Sequence, residues 1–82
     1  MTETALDLRG LKCPLPTLRT RKALLRAGGG DLLIVTCTDP MAAIDIPNLV
    51  RETGDSLEAQ ERQEAVLVFR IRKGVVPPPA FD

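Results

Sequence analysis

Leu8-Arg9-Gly10-Leu11-Lys12-Cys13-Pro14-Leu15-Pro16 is the stretch on which the rest of this 82-residue chain turns. Before it, residues 5 to 9 (Ala-Leu-Asp-Leu-Arg) alternate apolar and polar. That is the period of a short half-buried strand, with Leu6 and Leu8 inward. Gly10 then permits a turn. A helix begins at Cys13 or Pro14, because proline suits the first helical position, where its missing N–H would be unpaired anyway. Gly28-Gly29-Gly30 stops that helix after Ala27. At about 100° per residue, Arg19, Lys22 and Arg26 share one narrow face. Leu18, Leu24 and Leu25 fall mostly on the other, with Thr17, Thr20, Ala23 and Ala27 as small fillers. Arg21 interrupts the apolar side and should snorkel from its edge.

Further along, Asp31-Leu-Leu-Ile-Val-Thr-Cys37 is nearly continuous in apolar residues, the mark of a central strand. Thr38-Asp39-Pro40 repeats a helix-start pattern, an Asp cap followed by proline. Asp45-Ile46-Pro47 repeats it again. Proline mid-helix loses a hydrogen bond and clashes with the carbonyl four residues back. Residues 40–44 are therefore expected as one turn, and the second helix as 45–53, capped by Gly54. Leu57 to Arg62 and Ala65 to Arg72 read as two strands joined tightly around Gln63-Glu64, with Phe69 and Ile71 inward.

The order is strand, helix, strand, helix, strand, strand. Right-handed crossovers put both helices on one side of the sheet when successive strands step the same way. The expected fold is an α/β (α+β) two-layer sandwich, βαβαββ, with a mixed four-stranded sheet and two helices on one face. One domain is expected over residues 1–74, followed by a Pro-rich flexible tail, 75–82. A chain this short buries only about 60% of its unfolded surface. With no Trp, no Tyr and two Phe, the core must be aliphatic.

Composition excludes several functions. No 18-residue apolar run exists, which argues against membrane insertion, and the N-terminus lacks the features of a signal peptide. The expected localisation is cytoplasmic, where two cysteines are thiols more readily than a structural disulfide. Net charge is zero, yet residues 8–30 carry Arg9, Lys12, Arg19, Arg21, Lys22 and Arg26 and no acid. Such a local basic segment suits an anion or an acidic partner. It gives little support to nucleic acid as a direct ligand, since no aromatic pair is placed for stacking. With no histidine there is no Cys-His pair, and protease-like acyl chemistry is disfavoured. The Cys-x-x-Cys redox pattern is missing, and two cysteines without histidine argue against a metal site. No Gly-rich phosphate loop opens a helix, and no cofactor is implied.

What remains is Cys13. At a helix start it would meet unpaired N–H groups and roughly half a positive charge. With Lys12 adjoining and Arg9 close by, that setting predicts a lowered thiol pKa and a nucleophilic thiolate. Pro14 and Pro16 offer no N–H, so the sulfur should be rigidly mounted but lightly caged. Cys37, late in the central strand, reads first as a small buried hydrophobe. The alternative is a second thiol that resolves or receives from Cys13.

Asp7-x-Arg9-Gly10-x-x-Cys13-Pro14-x-Pro16 resembles the signature of the TusA/SirA-like sulfur-carrier (sulfurtransferase) family. The resemblance runs through Asp39-Pro40 and Asp45-Ile46-Pro47 to the last strand, over roughly residues 5–73. It implies the βαβαββ sandwich and a persulfide carried on Cys13, with Arg9, Gly10, Pro14 and Pro16 as motif support. It implies a sulfur-donor protein of the cysteine desulfurase or rhodanese type, or a low-molecular-weight persulfide, and a sulfur-acceptor protein. Acceptors in the family serve tRNA thiolation, cofactor maturation or sulfur oxidation. The chain departs from the pattern at Ile44, where tRNA-thiolation members carry a basic residue. Lys12, Arg19, Lys22 and Arg26 are the expected partner- or anion-binding residues. The expected activity is that of a sulfurtransferase with no independent turnover without partners. The rival functions are a thiol-based redox sensor or regulator and an RNA-binding module.

Overall fold

The computed structural model describes residues 2–74. The order of elements is β1 (Glu3–Leu8), α1 (Leu15–Arg26), β2 (Leu32–Cys37), α2 (Ala42–Thr53), β3 (Ser56–Gln63) and β4 (Val66–Arg72). The four strands form one sheet in the order β1-β2-β4-β3. β1 and β2 are parallel, and β4 runs antiparallel to both of its neighbours. α1 packs on β1 and β2, α2 on β3 and β4, and the helices touch each other. This is the expected mixed two-layer sandwich. The expected tail, 75–82, lies outside the described residues.

The core lies between the layers. Leu33, Val35 and Cys37 of β2 alternate inward, as do Leu67, Phe69 and Ile71 of β4. α2 meets them with Ala42, Ile46, Leu49 and Val50, a spacing of four, three and one that keeps one helical stripe inward. Phe69 is fully buried and is the largest such side chain.

α1 departs from its expected pattern. Its buried residues are Pro16, Thr20 and Leu24, whereas Leu18 is 53% and Leu25 75% exposed. Residues 16, 20 and 24 are successive fours, so they stack as a single stripe. Thr20 satisfies its buried hydroxyl by donating to the Pro16 carbonyl at 2.8 Å. That internal bond lets a polar residue occupy the centre of the face, and the leucines turn outward. Arg21 reaches across from the edge to Glu52 of α2 at 3.2 Å.

α2 also differs. It is one continuous helix from Ala42, with Pro47 inside it, and not a turn followed by a helix starting at Asp45. The missing N–H falls mid-helix, at the sixth of twelve residues, and the buried stripe from Ala42 to Val50 straddles it. Packing of that stripe on the sheet outweighs the lost bond. Met41 stands at the cap position with no side-chain cap bond, so the expected Asp39 cap moves one step back: its Oδ1 accepts the Met41 N–H at 3.1 Å in the turn leading into the helix. Gly54 ends the helix in the left-handed conformation, φ +79°, which glycine reaches without steric cost.

The connection from α1 to β2 is fixed by Asp31. Its carboxylate accepts the Gly28 N–H at 2.8 Å and the Thr2 N–H at 2.9 Å, joining the end of α1 to the start of β1.

Replacing Phe69 by Ala should leave a cavity between the layers and cost about 3–5 kcal/mol. Urea unfolding followed by circular dichroism reads this, since the chain has no Trp or Tyr. A loss under about 1 kcal/mol would contradict the placement of Phe69 at the centre of the core.

Candidate functional site

Parallel pairing of β1 and β2 sets Leu8 opposite Cys37, so both strands finish side by side. The chain leaves β1 into the Cys13 loop and leaves β2 into the Asp39 loop. The two loops meet at the carboxyl end of the parallel pair, where open α/β sheets commonly place their sites. Gly10 turns the first loop with φ +86°, and its N–H donates to Thr38 Oγ1 at 2.8 Å. The Leu11 N–H donates to the Leu8 carbonyl at 3.2 Å. The Cys13 N–H donates to Asp39 Oδ2 at 2.5 Å. Asp39 thus holds the turn before α2 with one oxygen and the cysteine backbone with the other.

Cys13 is exposed, and its side chain leans toward α2. Its Sγ donates to Asp45 Oδ2 at 3.5 Å, within the range of a thiol hydrogen bond. The hydrogen bond to Asp45, followed by desolvation and the charges of Asp45 and Asp39, raises the thiol pKa. This reverses the expected lowering, and the reasons are local. The helix begins at Leu15, with Pro14 at the cap position, so Cys13 lies before it and is not its cap. The Leu15 N–H, expected to face the sulfur, donates instead to the Lys12 carbonyl at 2.8 Å. Arg9 is held by Asp7 at 2.8 Å, which fixes that carboxyl at a pKa of about 2 and occupies the guanidinium. Lys12 is exposed beside Cys13. The charges that act on the thiol are those of Asp45 and Asp39.

Cys37 is fully buried at the end of β2, and burial, with a smaller contribution from Asp39, pushes its thiol up to about 11. It is packed as a core side chain.

Two shallow grooves flank the cysteine. One, of about 340 Å³, is lined by Gly10, Leu11, Lys12, Thr38, Asp39 and Pro40. The other, of about 320 Å³, lies between the helices and is lined by Pro14, Thr17, Asp45, Asn48, Leu49 and Glu52. Lys12 borders the first and Pro14 the second, so Cys13 stands between them. Apolar side chains bracket the site: Leu15 and Leu18 follow the cysteine on α1, while Met41 and Ile44 lead into Asp45 on α2, all exposed. Arg19, Lys22 and Arg26 lie on the exposed side of α1 among those leucines and Leu25. Among the described residues, no group of three or more His, Cys, Asp or Glu is placed to hold a metal ion. No helix among them is long and apolar enough to cross a membrane.

Sequence reasoning singled out Cys13 with Arg9, Gly10, Pro14 and Pro16; the structure sets Arg9, Gly10 and Cys13 between β1 and α1, Pro14 at the cap of α1, and Pro16 buried in its first turn. Sequence reasoning took Asp39 and Asp45 only for helix caps. Asp45 is instead the carboxylate on the sulfur, one helical turn past the Met41 carbonyl that accepts its N–H at 2.9 Å.

The two-layer sandwich thus holds one exposed thiol, among the described residues, past the carboxyl end of its parallel strands. The family model for sulfurtransferase TusA matches residues 4–73, and the chain belongs to that family. It is 40% identical over 72 residues to a candidate sulfur carrier protein of Neisseria meningitidis serogroup A, covering 88% of this chain and 97% of that one. It is 37% identical over 68 residues to the sulfur carrier protein TusA of Allochromatium vinosum, covering 83% and 90%. The crystal structure of a SirA-like protein from Desulfitobacterium hafniense superposes with a TM-score of 0.76 at 25% identity, covering 87% of this chain and 97% of that one. A sulfur-relay role follows, and with it the need for a sulfur donor and a sulfur acceptor.

Iodoacetamide should label Cys13 in the native protein and reach Cys37 only after unfolding. The raised thiol pKa means that less thiolate is present at neutral pH than in an ordinary cysteine, so the Cys13 labelling rate should still be climbing above pH 9. Intact mass against time and pH measures both. A plateau below pH 8 would contradict the carboxylate-dominated site.

Proposed function

We propose that Cys13 carries sulfane sulfur as a persulfide between a donor, protein or low-molecular-weight, and an acceptor protein. The observation that carries this reading is the contrast between the two thiols. Cys13 is exposed on a loop pinned by backbone hydrogen bonds, while Cys37 is sealed in the core.

In loading, the Cys13 sulfur attacks the terminal sulfur of a donor persulfide. The bond between Cys13 Sγ and that sulfur forms, and the bond from it to the donor's inner sulfur breaks. The electron pair leaves with the inner sulfur, which takes up the proton that Cys13 gives up. Discharge to an acceptor thiol is the same exchange in reverse sense, so no third reagent gains or loses electrons. The raised thiol pKa argues that Cys13 rests uncharged and does not react indiscriminately.

Partner binding falls on the same corner. Leu15, Leu18 and Leu25 with Arg19, Lys22 and Arg26 form a mixed apolar and cationic face on α1 that begins two residues after Cys13. Such a face suits a protein surface with an apolar centre and carboxylates around it. Ile44 extends the apolar part onto α2, which favours packing there over a charge contact.

Incubation with inorganic polysulfide should add sulfur mass that dithiothreitol removes and that Cys13→Ser abolishes. An adduct that persists in Cys13→Ser would sink the assignment. Reversing the charge of Arg19, Lys22 and Arg26 together should slow protein-to-protein transfer at least about tenfold, with a smaller effect at high salt. Loading from polysulfide should be unchanged in that variant, which separates docking from chemistry.

A further inference from the structure

The element least explained by a simple carrier is the carboxylate placed against its sulfur. A site built only to activate Cys13 would surround it with cations or free N–H groups. Here α2 presents Asp45 at 3.5 Å, and the loop leading into α2 adds Asp39. The other charged groups facing this corner do not cancel them. Arg9 is occupied by Asp7, Arg21 of α1 is occupied by Glu52, and Glu52 lines the same interhelical groove as Asp45. Lys12 alone adjoins the cysteine unpaired by any described salt bridge. Asp45 is also held firmly, since its backbone N–H donates to Met41 within the first turn of α2 and Ile46 beside it is fully buried.

We propose that Asp45 gives the sulfur exchange its direction, accepting a hydrogen bond from the empty thiol and repelling the charged end of the loaded persulfide outward. The inference rests on the carrier reading of Cys13. The empty thiol has a proton to share, so the carboxylate holds it in place. The persulfide is the stronger acid, because its negative charge sits on a sulfur bonded to a second sulfur. Once loaded and ionised, it has no proton to offer, and two negative groups face each other across a short distance. Like charges at such separation disfavour the charged form or push it away. The terminal sulfur is one bond farther from Cβ than Sγ, so it can swing off α2 toward solvent, where an acceptor thiol approaches. The carboxylate stabilises the unloaded state over the loaded one, which speeds delivery at the expense of storage.

The test uses the full chain with Asp45→Asn and Asp45→Ser. Asparagine keeps the shape but removes the charge and can donate to a persulfide. The first arm is the pH profile of iodoacetamide labelling at Cys13, which needs no sulfur cargo. The profile should move to lower pH in both variants, with labelling at pH 7.5 at least about threefold faster. The second arm loads each protein from polysulfide and follows discharge to glutathione by intact mass. Discharge should be at least about threefold slower in Asp45→Asn. An unmoved labelling profile in both variants overturns the proposal, and so does discharge that is equal or faster in Asp45→Asn. Failure of the wild-type protein to take up any sulfur would count against the carrier reading itself. The labelling arm would still decide whether Asp45 governs the thiol.

Discussion

The bridging carboxylate of Asp39 is the contact on which the site depends. One oxygen holds the turn that leads into α2, and the other fixes the Cys13 backbone. Gly10 to Thr38 is the other hydrogen bond that ties the two loops at the end of the parallel strands, among the described residues. A charge-assisted hydrogen bond like that of Asp39 is stronger than a neutral one. It is also cheap in ordering entropy, because β1 and β2 have already brought the loops together. Sheet pairing makes the approach, and a single side chain locks it.

That arrangement explains how so small a core supports a defined site. α1 fully buries only Pro16, Thr20 and Leu24, with Ala23 packed partly against the core. Most of the buried apolar surface comes from β2, β4 and α2. α1 is therefore free to spend its outer face on leucines and cations, at the end of the molecule where the thiol stands. The helix that an interior-minded reading would expect to be a core element is largely a display surface.

Much of the fold was legible in the sequence because its signals were unambiguous. The continuous apolar run before Cys37, the triple glycine and the alternation through Phe69 and Ile71 each admit one structural solution. The apolar face of α1 was not legible, since leucines and arginines alternate around that helix and nothing local says that Thr20 will satisfy its own hydroxyl. Pro47 misled for a related reason. Its local cost is real, but the stripe from Ala42 to Val50 that outweighs it becomes visible only against a sheet. The site was legible as to which cysteine and illegible as to its charge. Lys12 and Arg9 are near Cys13 in sequence, whereas Asp39 and Asp45 are near it in space, 26 and 32 positions on. Resemblance to the sulfur carriers supplied the cargo, and geometry supplied the sign of the field around it.

The antiparallel return of β4 has a consequence for how the molecule can be held. Arg72 pairs with Leu32, and Glu3 pairs with Leu32 from the other side, so β1 begins and β4 finishes at the same end of the sheet. Gly74 is anchored there by its N–H to Asp55 at 2.8 Å. Cys13 follows the opposite ends of the strands, about 17–20 Å away along a strand of this length. Anything joined before residue 3 or after residue 74 is thus attached at the heel of the protein and leaves the sulfur at its toe. A fused domain or an immobilising surface would grip the carrier from behind and point its cargo outward.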